Sequence, residues 1–374
     1  MKINLKGLLC SELIFALLIF RYQIIRITES YIIYPILIFG ALFILIKERR
    51  INKAVIILNC LVLCIIFLNY FIYKEYRGEI LNIIDLYFYA GVIATILFSY
   101  CKNYRKLIDI MTLIGIVNIF ITIYMFLNKE TYHLGYMDFG YFLLPSSILL
   151  YLKYFKEKNI KYLIGSILTI IIIFIYGSRG AILCYIGGYL MINMATFKAT
   201  LKNLNSSFIK IIIGIILLIS INPLLSKVNN TLIENGIFSY SLTKYTDTTE
   251  DFASGRVERY NLAIEDIKKH PIVGNGIGNY NIKYSYNYIH NFILQIADEL
   301  GILLLFLVII FIIKFIVKII KDTDKDRQLV FTFIFSITIK LMISTQYWSE
   351  PTFWIIILLG MQFTKKSLKL KNNI

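Results

Sequence analysis

The run AVIILNCLVLCIIFLNYFIY, residues 54–73, carries no charge from end to end and is bounded by Lys53 and Lys74. As a helix it would extend about 30 Å, the thickness of a bilayer's hydrocarbon layer. Comparable apolar runs recur along all 374 residues, each bounded by charged clusters. Hydrophobic residues make up 58% of the chain and charged ones only 17%, against roughly 25% in an ordinary soluble domain, and the mean hydropathy is +0.71. A soluble core is therefore the wrong frame. The sequence predicts an all-α, polytopic transmembrane helical bundle, one membrane domain over residues 1–374.

The formal charge of +16 does not indicate nucleic acid. No basic stripe with interleaved aromatics is present, and the lysines and arginines lie in short connectors between apolar runs. Expected spans are 7–25, 31–46, 54–73, 80–101, 107–127, 139–155, 161–177, 180–197, 208–225, 291–313, 328–346 and 352–364, about twelve in all. Alternate connectors are rich in cations: Lys47 to Lys53, Lys102 to Lys106, Lys153 to Lys161, Lys198 to Lys210, Lys318 to Arg327 and the tail from Lys365. The intervening short ones hold few, among them Arg21, Arg26, Lys74, Arg77, Lys129 and Arg179. That asymmetry places both termini in the cytoplasm. The first span is interrupted by Glu12 and Arg21, and reads as uncleaved because no small-residue cleavage pattern follows it. The five cysteines, Cys10, Cys60, Cys64, Cys101 and Cys184, fall in or beside apolar runs and read as small core residues.

Residues 226–290 form one long extracytoplasmic connector. Within it Val257, Tyr260, Ile264 and Ile267 recur at helical spacing, while Glu258, Asn261, Glu265 and Lys268 face elsewhere. Ser254 or Gly255 can begin this helix and His270-Pro271 ends it, so that it lies on the membrane or roofs the mouth of the bundle. The glycines at 274, 276 and 278 lack the spacing and the strand context of a dinucleotide fingerprint, and read as a turn back to the membrane.

Few residues here can do chemistry. Arg179, in Gly177-Ser178-Arg179-Gly180, stands at an outer turn, where it either holds an anion or touches lipid phosphate. Arg256 opens the loop helix and Arg259 follows one turn later. A helix N-terminus with a guanidinium fork suits a pyrophosphate, although Arg259 reads rather as a solvated helix charge balanced by Glu258. His290, in Tyr288-Ile289-His290-Asn291-Phe292, sits at the mouth of the next span, where an imidazole can take a proton or simply cap a helix. Lys340 lies inside an expected span, which makes it a functional candidate on cost. Asp298 and Glu299 are placed to orient His290 or to pair with Lys340. His133 and His270 read as ordinary loop residues. The scattered histidines and the lack of a carboxylate cluster predict no catalytic metal and no cofactor.

Taken in order, Gly177-Ser178-Arg179-Gly180, Ser254-Gly255-Arg256, the run from His270-Pro271-Ile272-Val273 through Gly278, His290-Asn291-Phe292-Ile293-Leu294-Gln295 and Glu299-Leu300-Gly301 resemble the O-antigen ligase/polymerase family. The resemblance covers about 125 residues by motif, and span number and loop position extend it. It implies a GT-C-like fold in the cytoplasmic (inner) membrane of a bacterium, and metal-independent glycan transfer from an undecaprenyl-diphosphate-linked oligosaccharide. Carried over by position, Arg179 and Arg256 would hold the pyrophosphate and His290 would activate the acceptor hydroxyl, with Arg259, Asn291, Ser254, Gly255 and Lys340 as further substrate contacts. The expected partners are that lipid-linked oligosaccharide, membrane lipids and a chain-length regulator, with no nucleic acid. The longer arginine-to-glycine spacing of some polymerases is not met after Arg179 or Arg256, so both a repeat-unit polymerase and a ligase stay open. A transporter or flippase of lipid-linked oligosaccharide is the rival from another class, and the absence of a clear internal repeat speaks against it.

Overall fold

Where the expected apolar runs are described, they are helical over most of their length. A computed structural model describes residues 10–127, 136–176, 179–196, 222–234, 243, 255–286 and 288–371, and among these there is no strand. The N-terminal part contains α1 (Ser11–Ile19), α2 (Arg21–Thr28), α3 (Ile33–Glu48), α4 (Lys53–Ile72), α5 (Arg77–Tyr87), α6 (Ala94–Ser99) and α7 (Tyr104–Leu127). The middle contains α8 (Tyr136–Glu157), α9 (Ile160–Tyr176), α10 (Arg179–Thr196) and α11 (Asn222–Glu234). The last part contains α12 (Arg256–Lys269), α13 (Asn279–Tyr284), α14 (Phe292–Lys321), α15 (Lys325–Thr338) and α16 (Pro351–Lys371).

Among the described residues four helical stretches are long and apolar enough to cross a membrane: Lys53–Ile72, Lys74–Ser99, Tyr104–Met125 and Phe292–Lys321. Shorter apolar helices run over Ile160–Ile175, Gly180–Met194 and Pro351–Gln362. Close approach relies on small residues, as expected where lipid supplies no hydrophobic drive between helices. A Cβ at Gly360 of α16 would lie 2.5 Å from the carbonyl oxygen of Phe311 on α14, and one at Gly188 of α10 would lie 3.1 Å from Ser336 Cβ on α15. Most of the expected span 208–225 lies outside the described residues, α11 beginning only at Asn222. The expected first span is two helices, broken at Phe20. Cys101 and Cys184 are core residues as expected, whereas Cys60 and Cys64 lie on an exposed face of α4.

Ion pairs tie both ends of the bundle. At one end the connectors are held by ion pairs: Lys102 with Glu48, Lys153 with Asp109, Lys156 with Asp326 and Arg327 with Asp322. The opposite end, expected from the lysine and arginine distribution to face outward, carries α12, α13 and the glycine turn.

That turn is built into the membrane helix behind it. Gly301 interrupts α14 with φ 84° and ψ 164°, a conformation open in practice only to glycine. The break frees the carbonyls of Asp298 and Glu299 and the amide of Ile302, groups that cannot stay unpaired away from water. The turn supplies all three partners. Asn275 N–H donates to Asp298 O at 2.6 Å, Gly276 N–H to Glu299 O at 3.1 Å, and Ile302 N–H to Pro271 O at 2.8 Å. A Cβ at Gly274 would come within 2.6 Å of the Glu299 carbonyl, and one at Gly301 would strike Ile272 O, so glycine is required on both faces of this contact. The turn therefore returns to the membrane by replacing hydrogen bonds inside a broken span.

Candidate active site

His290 is held from three sides. Its backbone is left-handed, with φ 65°, and its carbonyl accepts the Tyr260 hydroxyl of α12 at 3.3 Å. Nδ1 lies 3.3 Å from Ile343 O, in the segment after α15, and the Tyr288 ring packs against the imidazole at 4.3 Å between centroids. A carbonyl can only accept, so Nδ1 carries the proton and Nε2 is left as the basic nitrogen. Burial, with Arg259 and Arg256 nearby, lowers the pKa to about 4 against a partly opposing hydrogen bond to Ile343. The next residue, Asn291, caps α14, its Oδ1 accepting from Ile293 N at 3.0 Å and Leu294 N at 3.3 Å. That cap fixes where the helix starts and hence where His290 stands.

Arg256 opens α12 after Gly255, which adopts φ 70°. It lies within electrostatic reach of His290 and of Cys184 on α10, and Lys340 also reaches Cys184. Arg259 stacks over the Tyr286 ring at 4.3 Å, and its carbonyl accepts the Tyr280 hydroxyl at 3.1 Å. Arg179 is the first residue of α10. Beside it, a Cβ at Gly180 would lie 3.0 Å from the side chain of Ile343, the residue that holds His290. The backbones that carry Arg179, Arg256, Arg259, His290 and Lys340 thus meet at one end of the bundle. The Arg179 side chain, Gly177, Ser178, Ser254 and His133 lie outside the described residues.

Several expectations are corrected. Lys340 does not sit within a helical span: α15 ends at Thr338, and Lys340 falls in a 3-10 turn (Ile339–Met342), paired with Glu350 at 2.6 Å. Asp298 and Glu299 neither orient His290 nor pair with Lys340. The Asp298 carboxylate accepts from Asn275 Nδ2 at 2.9 Å. Glu299 accepts from Gln295 at 2.9 Å, Tyr347 at 2.7 Å and Trp348 at 2.8 Å, pinning the segment before α16 to α14. The buried face of α12 is also displaced from the one expected. Val257 and Ile264 are exposed, whereas Ala263 and Asp266 are buried. Asp266 pairs with Lys269 and with Lys283 of α13; burial alone would raise its pKa, but those bonds hold it below the usual carboxylate range.

Sequence reasoning passed over Arg21. It is buried at the start of α2, donating to Leu18 O at 3.2 Å and Ser349 O at 2.6 Å, and stacks over Tyr22 at 4.1 Å. With Arg26, Lys340, Glu350, Tyr141 and Tyr288 it lines a cavity of about 290 Å³. The signal was present, since an arginine breaking the first apolar run incurs the same insertion cost that singled out Lys340. Among the described residues no group of three or more His, Cys, Asp or Glu gathers as metal ligands would.

Among known proteins, residues 164–309 match the family model described as O-antigen ligase. No curated protein and no solved structure matches significantly. The matched stretch runs from α9 to the middle of α14 and so contains positions 179, 256 and 290, while Arg21 and Lys340 lie beyond it. The apolar helices together with this match indicate a membrane protein related to polysaccharide biosynthesis. Over residues 164–309, less than half of its length, the chain is similar to the O-antigen ligase family.

Proposed function

We propose that the protein is a repeat-unit polymerase of about twelve spans in the bacterial cytoplasmic membrane, with a GT-C-like architecture and both termini inside. It transfers a growing glycan from undecaprenyl diphosphate to the next lipid-linked unit on the outer face, building a capsular, exopolysaccharide or O-antigen chain. The acceptor hydroxyl attacks the anomeric carbon as its proton passes to His290 Nε2. The bond from that carbon to the diphosphate oxygen breaks, and the lipid diphosphate leaves. Arg256 and Arg179 neutralise the charge that develops on it, a task suited to guanidinium forks in a dry site and one that here needs no metal. A chain-length regulator is a further expected partner.

One observation carries this reading: a half-buried histidine whose Nδ1 is turned to the Ile343 carbonyl, which leaves Nε2 as the basic nitrogen, within electrostatic reach of Arg256 and Arg259. The similarity to O-antigen ligases favours a second reading, a ligase with the same donor chemistry and a different acceptor. The test is the product formed by purified protein from lipid-linked repeat units alone. A ladder of lengths identifies a polymerase, and product only on addition of a second acceptor identifies a ligase. Altered sidedness of an unchanged lipid-linked unit would identify a flippase and overturn both. His290→Ala protein should insert and bind lipid diphosphate while making no chain; normal chain length in that variant rejects the assigned base.

A further inference from the structure

A second cavity, of about 380 Å³, opens on the other side of Tyr288. Its size falls in the range of small-molecule sites, about 300–1,000 Å³. Its walls come from α5, from the glycine turn with α13, from the start of α14, and from Gln346. Four amides, Asn82, Asn281, Gln295 and Gln346, and two carboxylates, Glu79 and Glu299, line it. Among its described lining residues there is no lysine or arginine. Tyr280 and Tyr288 add aromatic surface.

Gln295 supplies an independent sign that a ligand belongs there. It is 97% buried, being only 3% exposed, and its Nε2 donates to Glu299 Oε1 at 2.9 Å. That bond fixes which way the amide is turned, and Oε1 is left buried with no partner. An unmatched buried acceptor costs roughly 1–3 kcal/mol unless something donates to it. In a cavity wall, a ligand hydroxyl or amide N–H is the natural donor.

The two cavities divide by charge. One offers Arg21, Arg26 and Lys340 against Glu350; the other offers carboxylates, amides and aromatic rings. A diphosphate would be repelled from the second, whereas hydroxyls find acceptors there and the apolar face of a sugar ring finds tyrosine. Tyr288 lines both cavities, and its ring packs on His290. We infer that the amide-lined cavity is the acceptor-sugar subsite, which takes a neutral or amino sugar and anchors it through a hydroxyl or N–H donated to Gln295 Oε1. This rests on the glycan-transfer reading and adds to it the side of His290 from which the acceptor enters.

The test uses full-length protein in nanodiscs. The probe is the repeat-unit oligosaccharide of the producing cells, released from its lipid by mild acid, with binding followed by saturation-transfer NMR. Wild type binds it saturably, and inorganic pyrophosphate does not displace it. Gln295→Leu weakens Kd about tenfold, the equivalent of one lost hydrogen bond. Asn82 is exposed at the rim, so Asn82→Trp fills the opening without disturbing the core; it abolishes binding at an unchanged Tm. Failure of the oligosaccharide to bind wild type, wild-type affinity in both variants, or displacement by pyrophosphate would each overturn the subsite. His290→Ala separates the two readings. It leaves binding intact, so normal chain length in that variant would defeat glycan transfer while the sugar-binding result stood by itself.

Discussion

His290 Nδ1 faces the carbonyl oxygen of Ile343 at 3.3 Å, so an element more than fifty residues further along the chain sets the tautomer of the histidine. With its pKa lowered to about 4 by burial and by Arg259 and Arg256, the imidazole is neutral and basic throughout the neutral range. Turnover at limiting substrate should therefore stay level as pH falls through 6.5 and decline only as it approaches 4. The effect on stability has the same sign: the unfolded chain binds more protons between about 4 and 6.5, so the folded state loses ground as pH drops through that window and no further below it. An acid limb centred near 6.5 would contradict this.

Arg256 and Arg259 both depress the basicity of His290, so removing either charge should raise it. Arg259→Gln is expected to move the acid limb of the pH profile upward, while Arg256→Lys should keep the limb in place and still reduce transfer, since a point charge does not reproduce a bidentate fork. Unshifted profiles in both Arg259→Gln and Arg256→Gln would remove the electrostatic link.

Lys340 and Glu350 form a largely buried pair, with the Glu350 side chain 5% exposed. Lys340→Met should therefore destabilise the protein by about 3–5 kcal/mol by stranding the carboxylate. Adding Glu350→Gln should recover most of that in thermal unfolding. A wild-type Tm for Lys340→Met would mean that the lysine serves only substrate.

Asn291 holds the start of α14 through two amides. Asn291→Asp keeps the acceptor and should match wild type, whereas Asn291→Ala should cost about 1 kcal/mol and impair transfer more than stability, because it loosens His290. Equal activity in the two variants would separate the cap from the site.

Gly301→Ala places a Cβ on Ile272 O at a left-handed φ and should prevent a monodisperse, folded preparation. Gly78→Ala meets nothing within 4 Å inside α5 and should be neutral or slightly stabilising. Size-exclusion profiles and Tm values compare the two directly.

The membrane helices were legible because an apolar run flanked by charge has one economical structure in lipid: 54–73 was expected and Lys53–Ile72 is found. The order of short motifs pointed to positions 179, 256 and 290: Arg179 and His290 stand at the ends of apolar runs, and Arg256 opens an amphipathic loop helix. Long-range pairing left no such mark. That Glu299 is held by Tyr347 and Trp348, and that Lys340 faces Glu350 rather than Glu299, depends on where α15 ends, and Lys340 continues an apolar run without a visible break. The buried face of α12 was misread because Asp266 looks like a surface charge until Lys283 is folded against it. The same holds for Gln295, whose neighbours come from four different segments.

The break at Gly301 also orders events during synthesis. The glycine turn, residues 271–278, leaves the ribosome ahead of residues 298–302, whose open backbone groups it satisfies. On the assigned topology it must cross to the far side and wait there while the following helix threads into lipid. A chain delayed or cut within that turn would leave the helix entering the bilayer with exposed amide dipoles, and quality-control proteases would meet it there.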